Sequence, residues 1–101
     1  MIGLRLNAHL SYIEPPRKLM FISYPQDAES VRKLEEHAPG VLKGDYFTVH
    51  TPRADTVSEF IGLDCVIHVK VTPFMFKSRM TRNLGAEVRG YKLTLENITQ
   101  A

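Results

Sequence analysis

Residues 65–72, Cys-Val-Ile-His-Val-Lys-Val-Thr, are the most β-branched run of the chain and predict a central β-strand. Successive side chains of a strand point to opposite faces of the sheet. The side chains expected on the buried face are those of Cys65, Ile67, Val69 and Val71. The opposite face is then expected to carry His68, Lys70 and Thr72.

Similar patterns predict further strands towards both ends of the chain. Residues 4–12 alternate strictly and place Leu4, Leu6, Ala8, Leu10 and Tyr12 on one face. Further strands are predicted at 17–24, 45–51 and 88–98, each rich in β-branched or aromatic residues. The aromatic side chains expected in the core are those of Phe21, Tyr46 and Phe47.

Residues 26–38 form the one helical pattern of the sequence. Val31, Leu34 and Ala38 recur at helical spacing, Asp27 is the expected N-cap, and Pro39-Gly40 ends the helix. Residues 55–62 fit either a short helical turn or a connection, and 77–87 are expected to form an exposed loop. Five strands and one helix predict a mostly β protein, a small antiparallel barrel or sandwich.

Length and composition limit the protein class. With 101 residues, 44% of them hydrophobic, the chain is expected to form a single globular domain over residues 1–101. Its single cysteine, Cys65, excludes an intramolecular disulfide and a zinc site built on paired cysteines. No signal peptide and no membrane-spanning stretch is recognisable, so a cytoplasmic location is expected.

The charge of the chain is unevenly distributed. The formal net charge is +2, but residues 1–69 carry seven basic and nine acidic side chains. Residues 70–92 carry six basic side chains and a single acidic one, Glu87. Such a basic segment predicts an anion-binding surface, the alternative being a solvated, solubilising loop.

No group of residues predicts catalysis, a metal site or a cofactor. Cys65 and His68 lie three residues apart, which on a strand places them on opposite faces. Residues 85–90 lack the strand-to-helix context of a phosphate-binding glycine loop. The sequence therefore predicts a protein that is not an enzyme.

The strongest functional pattern lies between His68 and Lys92, where cations alternate with aromatic residues. Single-stranded nucleic acid is bound by this combination, because bases stack on aromatic rings while cations contact the phosphates. The predicted contacts in this stretch are Lys70, Phe74, Phe76, Lys77, Arg79, Arg82, Arg89, Tyr91 and Lys92. Arg17 and Lys18 would join them if the two hairpins are adjacent, whereas Phe74 and Phe76 could instead pack in the core.

The C-terminal third also resembles the last hairpin of small phage-type single-stranded-DNA-binding proteins. The resemblance covers about 35 residues and rests on the Pro-Phe-x-Phe at 73–76, the basic loop and the run Val-Arg-Gly-Tyr-Lys-Leu-Thr-Leu at 88–95. It implies an OB-fold, a five-stranded barrel that binds single strands across its face. An OB-fold usually places its helix between the third and fourth strands, whereas the helix predicted here follows the second.

The resulting functional hypothesis is a non-enzymatic protein that binds single-stranded DNA, as a possible homodimer, in phage DNA replication or recombination. The alternative is a small protein-protein interaction module, such as a phage-encoded inhibitor or assembly factor. In that case the basic loop would dock on an acidic partner, with Phe74, Met75 and Phe76 as interface anchors.

Overall fold

Five strands and two helices occur in the part of the chain that this computed structural model describes, residues 2–13, 20–52, 54–76 and 87–101. The strands are β1 (Ile2–Ile13), β2 (Met20–Pro25), β3 (Phe47–His50), β4 (Asp64–Phe76) and β5 (Glu87–Gln100). The helices are α1 (Ala28–His37) and α2 (Ala54–Ser58). The fold is mostly β, as the alternation of the sequence predicts.

The strands close into a barrel in the order β1-β2-β3-β5-β4. Four of the five pairings are antiparallel, and the parallel pairing of β3 with β5 is a single bridge between His50 and Thr94. The prediction of a small five-stranded, OB-like barrel is therefore confirmed. Because this bridge lies at the last residue of β3, the rest of β3 is not paired with β5.

Inward-facing side chains of all five strands fill the barrel. On β4 the predicted buried face is confirmed, since Cys65, Ile67, Val69 and Val71 are all at most 4% exposed. Phe21 from β2 and Phe47 from β3 are fully buried, as expected for core residues. Each buried aliphatic or aromatic side chain contributes roughly 1.5–3 kcal/mol relative to exposure, so this core is the main source of stability.

A β-bulge at Ser11 changes which side chains at the end of β1 point into the barrel. Leu10 pairs with Ser23 and Tyr12 with Ile22, so Ser11 has no partner on β2. An extra residue in one strand reverses the alternation beyond it. The expectation that Tyr12 faces inward is therefore wrong: Tyr12 is 49% exposed, and Ile13 packs against the core instead.

Helix α1 covers the edge of β1 that β2 leaves unpaired. The Asn7 backbone N–H donates to Ser30 Oγ at 2.9 Å, and Lys33 Nζ donates to the Arg5 carbonyl at 3.0 Å. Leu34 on the same helix is fully buried in the core. The helix thus covers a strand edge that would otherwise be available for pairing with another chain.

The predicted N-cap of α1 is confirmed. An Asp27 carboxylate oxygen accepts from the Ser30 backbone N–H at 2.8 Å, and the other accepts from the Asn7 side-chain amide at 2.7 Å. The hydrogen bond from Asn7 and those from Ser30 lower the pKa of Asp27, because they stabilise its ionised form. Asp27 therefore anchors the helix to β1 as well as capping it.

The second helix resolves the ambiguity at residues 55–62. Helix α2 is a single turn between β3 and β4 that buries Val57 in the core. It occupies the place where an OB-fold carries its helix, while the longer α1 lies between β2 and β3. Neither helix is long and apolar enough to cross a membrane, within the residues described.

Candidate functional site

A groove of about 300 Å³ runs over the outer face of β1, β2 and β3. We call it the tyrosine groove, and its lining residues are Tyr12, Ile22, Tyr24, Tyr46 and Thr48. No acidic residue is among these lining residues. Its walls are aromatic rings that carry a hydroxyl at the outer end, a combination that suits contact with a flat, partly polar ligand.

Strand register brings these side chains together. Tyr12 pairs with Ile22, and Ile22 pairs with Thr48, so the three lie in one row across the sheet. Tyr24 and Tyr46 belong to the next row, where their rings meet edge to face with centroids 6.5 Å apart. Three tyrosines that are distant in sequence therefore form one surface, and Tyr12 reaches it only because of the bulge at Ser11.

A cleft of about 370 Å³ adjoins the tyrosine groove between β3 and β5. We call it the β3–β5 cleft, and Thr48 lines both depressions, so they are continuous. The lining residues are Pro39, Gly40, Val41, Lys43, Thr48, His50, Gly90, Tyr91, Lys92 and Leu93. Lys43 and Lys92 supply cations to this lining, and none of its described residues is acidic.

A tight turn connects the groove to the cleft. The Lys43 backbone N–H donates to the Tyr46 carbonyl at 2.7 Å, and Gly44 between them has a φ of 79°. Only glycine adopts this left-handed conformation without strain. The turn therefore fixes Lys43 of the cleft relative to Tyr46 of the groove.

A third depression lies on the other side of the His50–Thr94 bridge and has the opposite charge. It is lined by the residues that follow β3, by α2 and the turn after it, and by β5, and its described charged lining residues are Glu59 and Glu96. The described linings of the two openings thus differ in sign. An anion would be attracted to the β3–β5 cleft and repelled from this acidic groove.

The predicted binding residues whose side chains the structure describes lie in two places. Tyr91 and Lys92 line the β3–β5 cleft, on opposite faces of β5. Lys70 is half-buried on the outer face of β4, where it pairs with Thr94, and it does not line the cleft. The other cations and aromatic side chains predicted to bind lie outside what the structure describes: Arg17, Lys18, Phe74, Phe76, Lys77, Arg79, Arg82 and Arg89.

Three tyrosines and one lysine of the combined surface were not among the predicted contacts. Tyr12 and Tyr24 come from β1 and β2, and Lys43 and Tyr46 come from the turn before β3. The expectation that Tyr46 is a core residue is wrong, because Phe47 points inward beside Ser23 and its predecessor must point outward. The two-residue alternation of side chains along a strand, applied to residues 46–49, is the sequence signal that could have placed Tyr46 on the outer face.

Two other reactive side chains, those of Cys65 and His9, are not among the lining residues of this surface. Cys65 is buried, and burial together with the nearby Asp64 carboxylate raises the pKa of its thiol, so little thiolate forms at neutral pH. His9 Nδ1 lies 2.8 Å from Asp64 Oδ1, a contact that joins β1 to β4. Among the described residues, no three His, Cys, Asp or Glu side chains cluster as a metal site would require.

Comparisons of this chain with protein-family models, with curated proteins and with solved structures found no match. The strand topology and the chemistry of the groove and the cleft are therefore the features that bear on function.

Proposed function

We propose that the protein binds single-stranded nucleic acid, with DNA as the expected form, by stacking bases in the tyrosine groove. One observation carries this proposal. All four tyrosines of the chain line the groove or the adjoining cleft, whereas Phe21 and Phe47 are buried in the core. The tyrosine rings are thus concentrated on one surface.

The position of this surface supports the proposal. OB-folds bind oligonucleotides on the face formed by their second and third strands. Here Ile22, Tyr24 and Thr48 lie on those strands, and Tyr46 directly precedes the third. The groove has no acidic lining residue that would repel a phosphate. Stacking of a base on an aromatic ring is worth ~1–3 kcal/mol and requires no particular base.

The absence of tryptophan makes the proposal directly measurable. With no Trp and four Tyr in the chain, the intrinsic fluorescence of the folded protein comes from side chains of the proposed site. Titration with a dT12 oligonucleotide is expected to quench this emission in a saturable way. An rU12 arm compares RNA with DNA, and a duplex of the same length should bind more weakly.

Matched variants separate stacking from folding. Tyr46→Leu is expected to weaken dT12 binding by about 5- to 150-fold, the equivalent of 1–3 kcal/mol, with little loss of Tm. Tyr46→Phe keeps the ring and should bind nearly as the wild type does. Phe21→Leu, a core change on the inner face of β2, should lower Tm and leave affinity unchanged.

Absence of quenching by dT12 and rU12 at 50 mM salt, for a protein that is folded by circular dichroism, would contradict the proposal. The same tyrosine surface would then be assigned to a protein partner, as in the interaction-module hypothesis. Equal affinity of Tyr46→Leu and wild type for dT12 would also contradict base stacking at this position.

A further inference from the structure

We infer that the β3–β5 cleft is a phosphate-binding subsite, in which Lys43 and Lys92 hold the backbone of a single strand whose bases lie in the tyrosine groove. The inference rests on the proposed function and adds to it the path of the strand. Three features of the cleft support it: its continuity with the groove, the charge of its lining and its volume.

Continuity is provided by Thr48, which lines both the groove and the cleft. A strand stacked on Tyr24 and Tyr46 can therefore continue past Thr48 without leaving the surface. The backbone hydrogen bond from Lys43 to Tyr46, 2.7 Å long, holds the backbone of a lysine of the cleft beside that of a tyrosine of the groove. Base and phosphate contacts are thus available to successive parts of one strand.

Charge distinguishes the cleft from the opening beyond the His50–Thr94 bridge. Among the described lining residues, the charged ones are Lys43 and Lys92 in the cleft and Glu59 and Glu96 in the other opening. A polyanion is therefore expected to enter the cleft rather than the acidic groove.

Size limits what the cleft holds. Its volume of about 370 Å³ lies near the lower end of the ~300–1,000 Å³ that is typical of small-ligand pockets. Tyr91 adds an aromatic ring to the lining, next to Lys92. A short stretch of strand, a phosphate group with its sugar and base, matches this combination of cation and ring.

The test is the salt dependence of dT12 binding, followed by tyrosine quenching at four salt concentrations between 50 and 300 mM. Each neutralised phosphate contributes about −0.7 to the slope of log K against log salt for a single strand. Lys43→Ala with Lys92→Ala is expected to make the slope less steep by about 1.4 and to weaken binding roughly tenfold at 150 mM salt. Arg32→Ala, which removes a cation from the exposed face of α1, is the matched control and should leave the slope unchanged.

The outcomes separate this inference from the proposed function. If dT12 binds the wild type and the double lysine variant keeps the full slope, the phosphate subsite is wrong and the stacking proposal stands. If the wild type does not bind dT12 at all, the proposed function fails and the subsite fails with it. A second variant, Glu59→Gln with Glu96→Gln, is expected to strengthen binding, and weaker binding would contradict the assigned path.

Discussion

At the scale of the residue, Asp27 contributes to stability through its charge as well as its geometry. It accepts hydrogen bonds from the Asn7 side chain and from Ser30, and these lower its pKa. A carboxyl group with a lowered pKa in the folded state stabilises the protein above its unfolded pKa, near 4. That stabilisation is lost as the pH falls through the folded pKa.

We therefore expect Asp27→Asn to lower Tm at pH 7 and to have a smaller effect at pH 3, which lies below the pKa of the carboxyl group in the unfolded chain. The measurement is thermal unfolding by circular dichroism at both values. Glu35→Gln is the control, since the exposed Glu35 carboxylate on α1 makes no hydrogen bond to any described residue, and its effect should be small at both pH values. A Tm difference for Asp27→Asn that is the same at pH 7 and pH 3 would disprove the role of the charge.

At the scale of the element, the turn from Lys43 to Tyr46 joins the two halves of the proposed site. Gly44 has a φ of 79°, and a Cβ built there meets no atom within 4 Å. The expected cost of Gly44→Ala is therefore backbone strain alone, ~1–2 kcal/mol, or a Tm lower by ~4–8 °C per kcal/mol. Affinity for dT12 should fall as well, because Lys43 and Tyr46 lose their fixed relation.

Two variants check that prediction. Gly3→Ala places a Cβ at an ordinary contact distance of 3.9 Å from the Val69 carbonyl on an unstrained strand, so its Tm should hardly change. Gly44→Asn should recover part of the loss, since asparagine tolerates the left-handed region better than alanine. Equal Tm values for Gly44→Ala and the wild type would show that the turn does not constrain this part of the chain.

The elements themselves were largely predictable, because each depends on a local pattern. Alternation in residues 4–12 and 65–72 predicts β1 and β4, and the spacing of Leu34 and Ala38 predicts α1. The bulge at Ser11 was not predictable, since it depends on pairing with β2 rather than on β1 alone. The sequence also does not show that the helix after β2 covers the edge of β1.

At the scale of the whole molecule, barrel closure creates the candidate site. The groove needs Tyr12 on β1, Tyr24 on β2 and Tyr46 just before β3 to meet in one register, and the cleft needs β3 and β5 to be joined by a single bridge. The contiguous segment that is rich in cations and rings contains Tyr91 and Lys92 but not Tyr12, Tyr24 or Tyr46. The other site residues are brought together by the pairing register of distant strands, which cannot be read from a single sequence.

The whole-molecule charge is a poor guide to function for the same reason. A formal net charge of +2 indicates no particular partner. Folding nevertheless separates the charges, with Lys43 and Lys92 at one opening between β3 and β5 and Glu59 and Glu96 at the other. The opening that a bound polyanion is expected to enter is thus set by the fold rather than by the overall composition.

The central claim, that a single strand lies across the tyrosine groove and enters the β3–β5 cleft, is tested most directly by an NMR titration. Backbone amide shifts of the ¹⁵N-labelled protein are followed as dT12 is added at 50 mM salt. The account predicts the largest changes at Ile22, Tyr24, Tyr46, Thr48 and Lys92, with Arg32 and Glu36 on the outer face of α1 unchanged. Unchanged groove and cleft amides at saturating dT12, or changes confined to α1, would contradict it.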